Sequence, residues 1–248
     1  MSPPSPSPRY SLVVPFFNEA GNIPPLLAET LAVLRTHAPD FEAVLVDDGS
    51  TDATARELAA VAAAEPRCRL LTLAPNRGQA AALLAGLHAA RGAIVLTMDG
   101  DGQNDPADFP ALLTLVEHRQ ADLVCGWRTD RRDSLLRRLL SRTANAFRRR
   151  LLRDGVHDAG CQLRVFRREL VGVLFPARMM QTFLPAIVAA AGFRVRELPV
   201  RHRPRVYGRA HYGLSNLWLH PVVDTFRLRR HLRRQNAPTQ RPVDTTGR

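Results

Sequence analysis

Through the first half of the chain, short dense apolar runs alternate with longer stretches in which apolar positions recur every three or four residues. The first run, Tyr10 to Phe17, follows a leader rich in proline and serine. The stretch 22–38 has helical spacing, with Pro24 and Pro25 near its start, where a helix tolerates proline. The same unit recurs as a run at 41–50 and a helix at 51–65, with Thr51 or Asp52 as the expected N-cap. A run at 68–76 leads to a helix at 78–92, expected to end at Gly92. A run at 93–102 leads to a helix at 106–119, and a fifth run covers 121–128. Strands this apolar suit burial on both faces. The alternation predicts an α/β fold with a Rossmann-like, mainly parallel sheet flanked by helices.

After residue 130 the pattern changes. Residues 134–152 place Leu135, Leu136, Leu139, Leu140, Ala144, Phe147 and Leu151 on one stripe, with Arg137, Arg138, Arg142, Arg148 and Arg149 mostly off it. This predicts a basic amphipathic helix. A strand pair is expected in 156–169, a helix near 183–191 and a strand in 193–203. The segment 214–235 is apolar, then intensely basic. The expected organisation is a disordered leader at 1–8, one catalytic-size domain at 9–213, a basic amphipathic segment at 214–235 and a disordered tail at 236–248.

Charge adds a partner class. The chain has 248 residues and a formal net charge of +12, and all 35 basic residues are arginine. Phosphates, nucleic acid and an anionic membrane face are the partners such a charge attracts. No nucleic-acid reader pattern is present, which argues against nucleic acid. The three cysteines are far apart and form no CxxC pair, which argues against a disulfide framework or zinc site and fits a reducing compartment. The N-terminus lacks the apolar core of a signal peptide, and no stretch reaches about 18 apolar residues, so no spanning helix is expected.

In a parallel sheet ligands bind outside the carboxyl ends of the strands. Four polar loops stand at such ends: PFFNE, DDGSTD, APNRG and DGDGQND. Asp99 and Asp101 alternate with glycines at the last of these. Two carboxylates so spaced can reach one hard cation, Mg²⁺ or Mn²⁺, shared with substrate phosphates. Asp and Gly also form solvated turns, and DGDG alone leaves both readings open. A calcium loop of the EF-hand type fits poorly, because Asn104 and Pro110 fall where Gly and Glu are needed. Asp47 and Asp48 can accept hydrogen bonds from a base or from ribose hydroxyls. Neither a GxGxxG fingerprint nor a P-loop occurs.

In this order and spacing, PFFNE, VDDGSTD, NRGQAAAL and MDGDGQNDP resemble family 2 glycosyltransferases of the GT-A fold, over roughly residues 9 to 213. The likeness is to the branch acting on polyprenyl phosphates, which includes dolichyl-phosphate mannose synthase and its bacterial undecaprenyl-phosphate counterparts. The resemblance implies an inverting transfer of sugar from a UDP- or GDP-linked donor to a polyprenyl-phosphate lipid. It implies that Pro15, Asn18 and Glu19 lie near the nucleotide base and that Asp47 and Asp48 hold base and ribose. Asn76, Gly78 and Gln79 would lie beside the nucleotide, with Gln103 near the sugar. Asp99 and Asp101 would carry the divalent ion that neutralises the leaving diphosphate.

On the acceptor side, HDAGCQLRVFRRE resembles the family segment in which Asp158 is the candidate base and Arg164 a phosphate contact. A monophosphate acceptor, with a second pKa of about 6, is already largely ionised at neutral pH. Asp158 would then orient Arg164 or another cation. Arg205 and Arg209, in RHRPRVYGRAHYG, suit phosphate. This chain departs from the family loop at Ala210 and His211, and near Gln181 and Thr182, which bears on sugar identity. Two basic amphipathic stretches imply peripheral attachment to the cytoplasmic face of an anionic membrane. A homo-oligomer is compatible with the sequence. The alternatives are a soluble or polysaccharide acceptor for the same chemistry, and a non-catalytic basic binding protein. A nucleotidyltransferase lacks its phosphate loop here.

Overall fold

The computed structural model describes residues 7–129, 135–205 and 219–235. Seven strands form one sheet: β1 (Tyr10–Phe16), β2 (Phe41–Asp47), β3 (Cys68–Thr72), β4 (Ile94–Thr97), β5 (Leu123–Arg128), β6 (Arg164–Arg167) and β7 (Val195–Val200). Helices α1 (Ile23–His37), α2 (Thr54–Ala64), α3 (Gln79–Ala89) and α4 (Phe109–Glu117) join the first five strands. Three more helices follow, α5 (Leu135–Leu152), α6 (Met180–Ala190) and α7 (Leu219–Gln235). The strand order is β3-β2-β1-β4-β6-β5-β7. All neighbours are parallel except β6, which runs antiparallel between β4 and β5. The expected mainly parallel α/β sheet is therefore present.

The central strands β1, β2 and β4 are apolar on both faces because both faces are covered. Leu12, Val14, Leu45 and Leu96 pack under α1, α2 and α4, while Val13, Val44, Val46 and Val95 pack under α3 and α6. Strand order reverses at β1, between β2 and β4, and such a switch point opens a crevice at the carboxyl ends.

Several local expectations change. Residues 156–169 hold one strand, β6, followed by a short 3-10 helix at Arg168–Val173, instead of a strand pair. The reason is visible in the bonding: the N–H groups of Val156, His157 and Asp158 go to the side chains of Asp154 and Glu197, not to a ladder. Helix α3 ends at Ala89, before Gly92. Gly92 serves a close approach instead, since a Cβ there would sit 2.6 Å from the Tyr10 carbonyl carbon. At α2 the cap position is Ala53, and Asp52 Oδ1 accepts the Thr54 N–H at 2.9 Å.

Helix α7 packs against α5, and its Leu228 enters the core with α6. Arg148, expected off the apolar stripe, turns inward to a buried ion pair with Asp154 and donates to the Val156 carbonyl at 2.6 Å. Phe147, on the apolar stripe of α5, is 40% exposed and meets the 51%-exposed Phe226 edge-on at 5.8 Å. Among the described residues no helix is long and apolar enough to cross a membrane.

Candidate active site

The loops after β1, β2, α3's preceding strand β3 and β4 meet at the switch point. The first loop turns at Asn18, whose φ of 53° is in the left-handed region that Asn tolerates. Asn18 joins two loops: its N–H donates to Ser50 Oγ at 3.1 Å and its Oδ1 accepts the Thr51 N–H at 2.8 Å. Glu19 donates its N–H to Thr54 Oγ1 at 2.8 Å, and its Oε2 accepts from Asn22. Pro15 sits in β1 opposite Val46.

Asp47 and Asp48 are both buried, at 1% and 2% exposure. Asp47 Oδ1 accepts the Ser50 N–H at 3.1 Å. Asp48 bonds to the third loop through both oxygens, accepting from Asn76 Nδ2 at 3.0 Å and the Arg77 N–H at 2.8 Å. Asp48 and Asn76 therefore build the wall of the crevice by holding two loops together. Gly49 makes this possible: its φ is +70°, and a Cβ would lie 2.9 Å from Asn76 N. Gly78, at φ +86°, starts α3 and delivers Gln79, whose Nε2 donates to Asp99 Oδ1 at 2.7 Å.

Asp99 and Asp101 follow β4. Asp101 Oδ1 accepts the Gln103 N–H at 3.1 Å, and its Oδ2 lies 2.6 Å from Arg205 Nη2. Burial, then the Asp101 charge, push the Asp99 carboxyl up to about 7, against the opposing fields of Arg128 and Arg164 and the Gln79 bond. Negative charge is thus crowded at this point, and a cation relieves it. No group of three or more His, Cys, Asp or Glu side chains converges as a metal-ligand set among the described residues. The pair fits a hard ion that takes one or two carboxylates and completes its shell with water and substrate oxygens, the habit of Mg²⁺ and Mn²⁺ rather than of zinc.

The acceptor-side expectations are redistributed. Asp158, 4% exposed, has both carboxylate oxygens on Arg128. Glu197 of β7 accepts the successive N–H groups of His157 and Asp158 at 2.7 and 3.0 Å and fixes that turn. Arg164 corrects an expectation: it is fully buried, donating to the carbonyls of Gln181 at 2.6 Å and Ala159 at 2.9 Å. Its charge is felt at Asp99. Arg205 lies on the donor side, at Asp101. Gln103 lies against Arg203, with Nε2 at 3.4 Å from its carbonyl. Arg209, Ala210 and His211 lie outside the described residues. Gln181, one of the family departures, reaches Gln79 at 3.4 Å and so borders the Asp99 pocket.

Arg128 is the residue that sequence reasoning missed. It ends β5, whose carboxyl end opens into the same crevice, and the strand-end rule that selected the other loops applies to it equally. Its charge is felt at Asp99.

The profile described as "Glycosyl transferase family 2" matches residues 11–175. Dodecaprenyl-phosphate galacturonate synthase of Rhizobium johnstonii is 39% identical over 211 residues, covering 84% of this chain and 62% of that protein. Undecaprenyl-phosphate 4-deoxy-4-formamido-L-arabinose transferase of Pseudomonas paraeruginosa is 38% identical over 216 residues, covering 86% and 63%. The chain thus spans a little under two thirds of the length of these two relatives. The solved structure of glucosyl-3-phosphoglycerate synthase from Mycobacterium tuberculosis with Mn²⁺, UDP and phosphoglyceric acid superposes with a TM-score of 0.66 at 24% identity, covering 90% of this chain and 78% of that one. That likeness establishes the shared fold.

Proposed function

The chain belongs to glycosyl transferase family 2, and from that premise we propose that it transfers a sugar, with inversion, from a nucleotide diphosphate to a polyprenyl phosphate at a membrane surface. The observation that carries this reading is the convergence of Asp48, Asn76, Gln79, Asp99 and Asp101 on one crevice, with the Arg128–Asp158 pair at the neighbouring strand end. Two relatives with polyprenyl-phosphate names support the acceptor class.

The nucleotide lies against the loops at 15–19, 47–52 and 76–79, with Asp47 and Asp48 toward base and ribose, and Gln103 lies near the sugar. Asp99 and Asp101 hold Mg²⁺ or Mn²⁺, which when bound neutralises charge on the departing diphosphate. Arg128 orients the acceptor phosphate, whose oxygen attacks the anomeric carbon as the bond to the diphosphate breaks. Asp158 positions Arg128. The phosphate is largely ionised already, so little proton removal is asked of the protein. The catalytic unit is residues 9–213. α5 and α7 attach it peripherally to the cytoplasmic face, through Phe147 and Phe226 and the flanking arginines.

Thermal stabilisation by a panel of nucleotides, with and without Mn²⁺ or Mg²⁺, tests the donor site. Metal-dependent stabilisation selective for UDP or GDP is expected, followed by sugar transfer to a polyprenyl phosphate. Asp101→Asn should lower turnover by orders of magnitude with the fold intact. Well-folded protein that responds to no nucleotide defeats the reading, and transfer to a soluble sugar or polysaccharide alone would replace the lipid acceptor.

A further inference from the structure

Residues 201–205 run from the end of β7 back along the acidic loop. Asn104 and His202 form an antiparallel bridge, and the Arg203 N–H donates to the Gln103 carbonyl at 2.9 Å. Three arginines at alternate positions fasten this segment. Arg201 meets Asp105 at 3.2 Å and Asp108 at 3.1 Å. Arg203 meets Glu29 at 2.7 Å and Asp105 at 2.8 Å. Arg205 meets Asp101 at 2.6 Å and Glu19 at 3.6 Å. The first two pin the backbone to acids beside the site. The third lies on a carboxylate that the reaction needs.

Asp101 has two oxygens, and both are engaged, one by the Gln103 N–H and one by Arg205. The Gln103 N–H is fixed in the main chain. The guanidinium is on a long side chain that can swing while Arg203 holds the segment in place. Each oxygen keeps a further lone pair, but a divalent ion on either one lies within a few ångströms of the Arg205 guanidinium. Two cations within a few ångströms of each other in a half-enclosed site repel strongly.

We infer that Arg205 is the resident cation of the acidic crevice, mutually exclusive with a divalent ion at Asp101, and that it passes from Asp101 to the donor diphosphate when metal and nucleotide bind together. The inference rests on the reading of Asp99 and Asp101 as the metal carboxylates. It gives Arg205 two opposite effects. Without nucleotide it competes with the ion. With nucleotide its planar fork has a new partner in the diphosphate oxygens, which suit bidentate contact, and it contributes to binding. The exchange keeps the carboxylates neutralised at every stage and makes metal binding depend on the donor.

Mn²⁺ binding measured by electron paramagnetic resonance, with and without UDP or GDP, tests this on the full chain. Arg205→Gln should bind Mn²⁺ alone at least threefold more tightly than the wild type. With the nucleoside diphosphate present the order should invert, the variant binding at least threefold more weakly. Arg205→Lys keeps a charge but loses the fork, so it should resemble wild type toward Mn²⁺ alone and Arg205→Gln toward the diphosphate. Equal Mn²⁺ affinity of wild type and Arg205→Gln without nucleotide overturns the inference and leaves the metal site standing. Mn²⁺ binding unchanged in Asp101→Asn removes the metal reading beneath it.

Discussion

Both carboxylate oxygens of Asp158 lie on the Arg128 guanidinium, Oδ2 at 2.7 Å from Nε and Oδ1 at 2.9 Å from Nη2. The Arg128 N–H adds a third contact to Oδ2 at 3.3 Å. A carboxylate so engaged is a weak base and a strong holder of its partner. Asp158→Asn should therefore lower turnover by roughly 10²-fold through misplacement of Arg128, while the acidic limb of the pH–rate profile stays near 6, where the proposed phosphate acceptor ionises. Loss of that limb in the variant would return Asp158 to the role of base. Arg128→Lys, which cannot make the fork, should raise the acceptor KM more than the donor KM.

Glu42 lies buried at the opposite end of the sheet from the crevice. Its Oε1 accepts from Ser11 Oγ and the Arg91 N–H, both at 2.7 Å, and its Oε2 from Arg91 Nε at 3.0 Å and Arg69 Nε at 3.1 Å. Burial raises the carboxyl pKa, but the bonds from Ser11 and Arg91 and the charge of Arg69 outweigh it, and the group ends below its ordinary value. A depressed folded pKa means stability present above the unfolded pKa, about 4.3, and lost as pH falls through the folded value. Glu42→Gln should cost about 1–3 kcal/mol at pH 7. The gap from wild type should narrow below pH 4. Urea unfolding at pH 7 and pH 3.5 measures both; a gap independent of pH would contradict the ionic account.

Gly49 couples fold to site. Alanine there meets both a left-handed backbone and contacts of 2.9 Å to Asn76 N and 3.0 Å to the Leu73 carbonyl. The neighbours are main chain and cannot rotate away. Gly49→Ala should cost about 2–4 kcal/mol and weaken nucleotide binding by displacing Asp48 from Asn76. Gly172 has nothing within 4 Å of a built Cβ, so Gly172→Ala should change stability by less than about 0.5 kcal/mol. Thermal melting of the two variants with and without nucleotide separates the effects; equal melting points would sink the argument.

The strands and helices of the first half were legible because most are buried on both faces or along one stripe, which leaves a clear apolar period; even the half-exposed edge strand β3 keeps Leu70 and Leu71 packed against the core. The carboxylates Asp47, Asp48, Asp99 and Asp101 were legible because they interrupt that period at strand ends. What the sequence hid depends on partners far along the chain. Arg164 was expected at the acceptor phosphate, yet it is fully buried, with the Ala159 and Gln181 carbonyls receiving its guanidinium. Arg148 was hidden in the same way by Asp154. The antiparallel insertion of β6 leaves no local signal, because a four-residue run reads alike in either direction. Arg128 was within reach of the strand-end rule and was obscured by the basic run that follows it.

The pair Phe147 and Phe226 bears on where the enzyme works. Both rings are exposed, they touch, and Val223 on the same helix is 45% exposed. Arg229, Arg230, Arg233 and Arg234 border the hollow beside Phe226. Water gains nothing from such rings, whereas an anionic bilayer accepts both the rings and the guanidiniums. Each arginine near the surface is worth about 1 kcal/mol at low salt, and this part should fade as the screening length falls from about 10 Å at 0.1 M to about 3 Å at 1 M. The protein should therefore sediment with vesicles containing anionic lipid at low salt and be largely released by high salt. Replacing Phe147 and Phe226 together by serine should weaken binding by about 10- to 100-fold, since each half-exposed ring contributes on the order of 1 kcal/mol. That loss should persist at high salt, where the arginines no longer contribute. Equal binding to neutral and anionic vesicles, or none at low salt, would rule out attachment through this face.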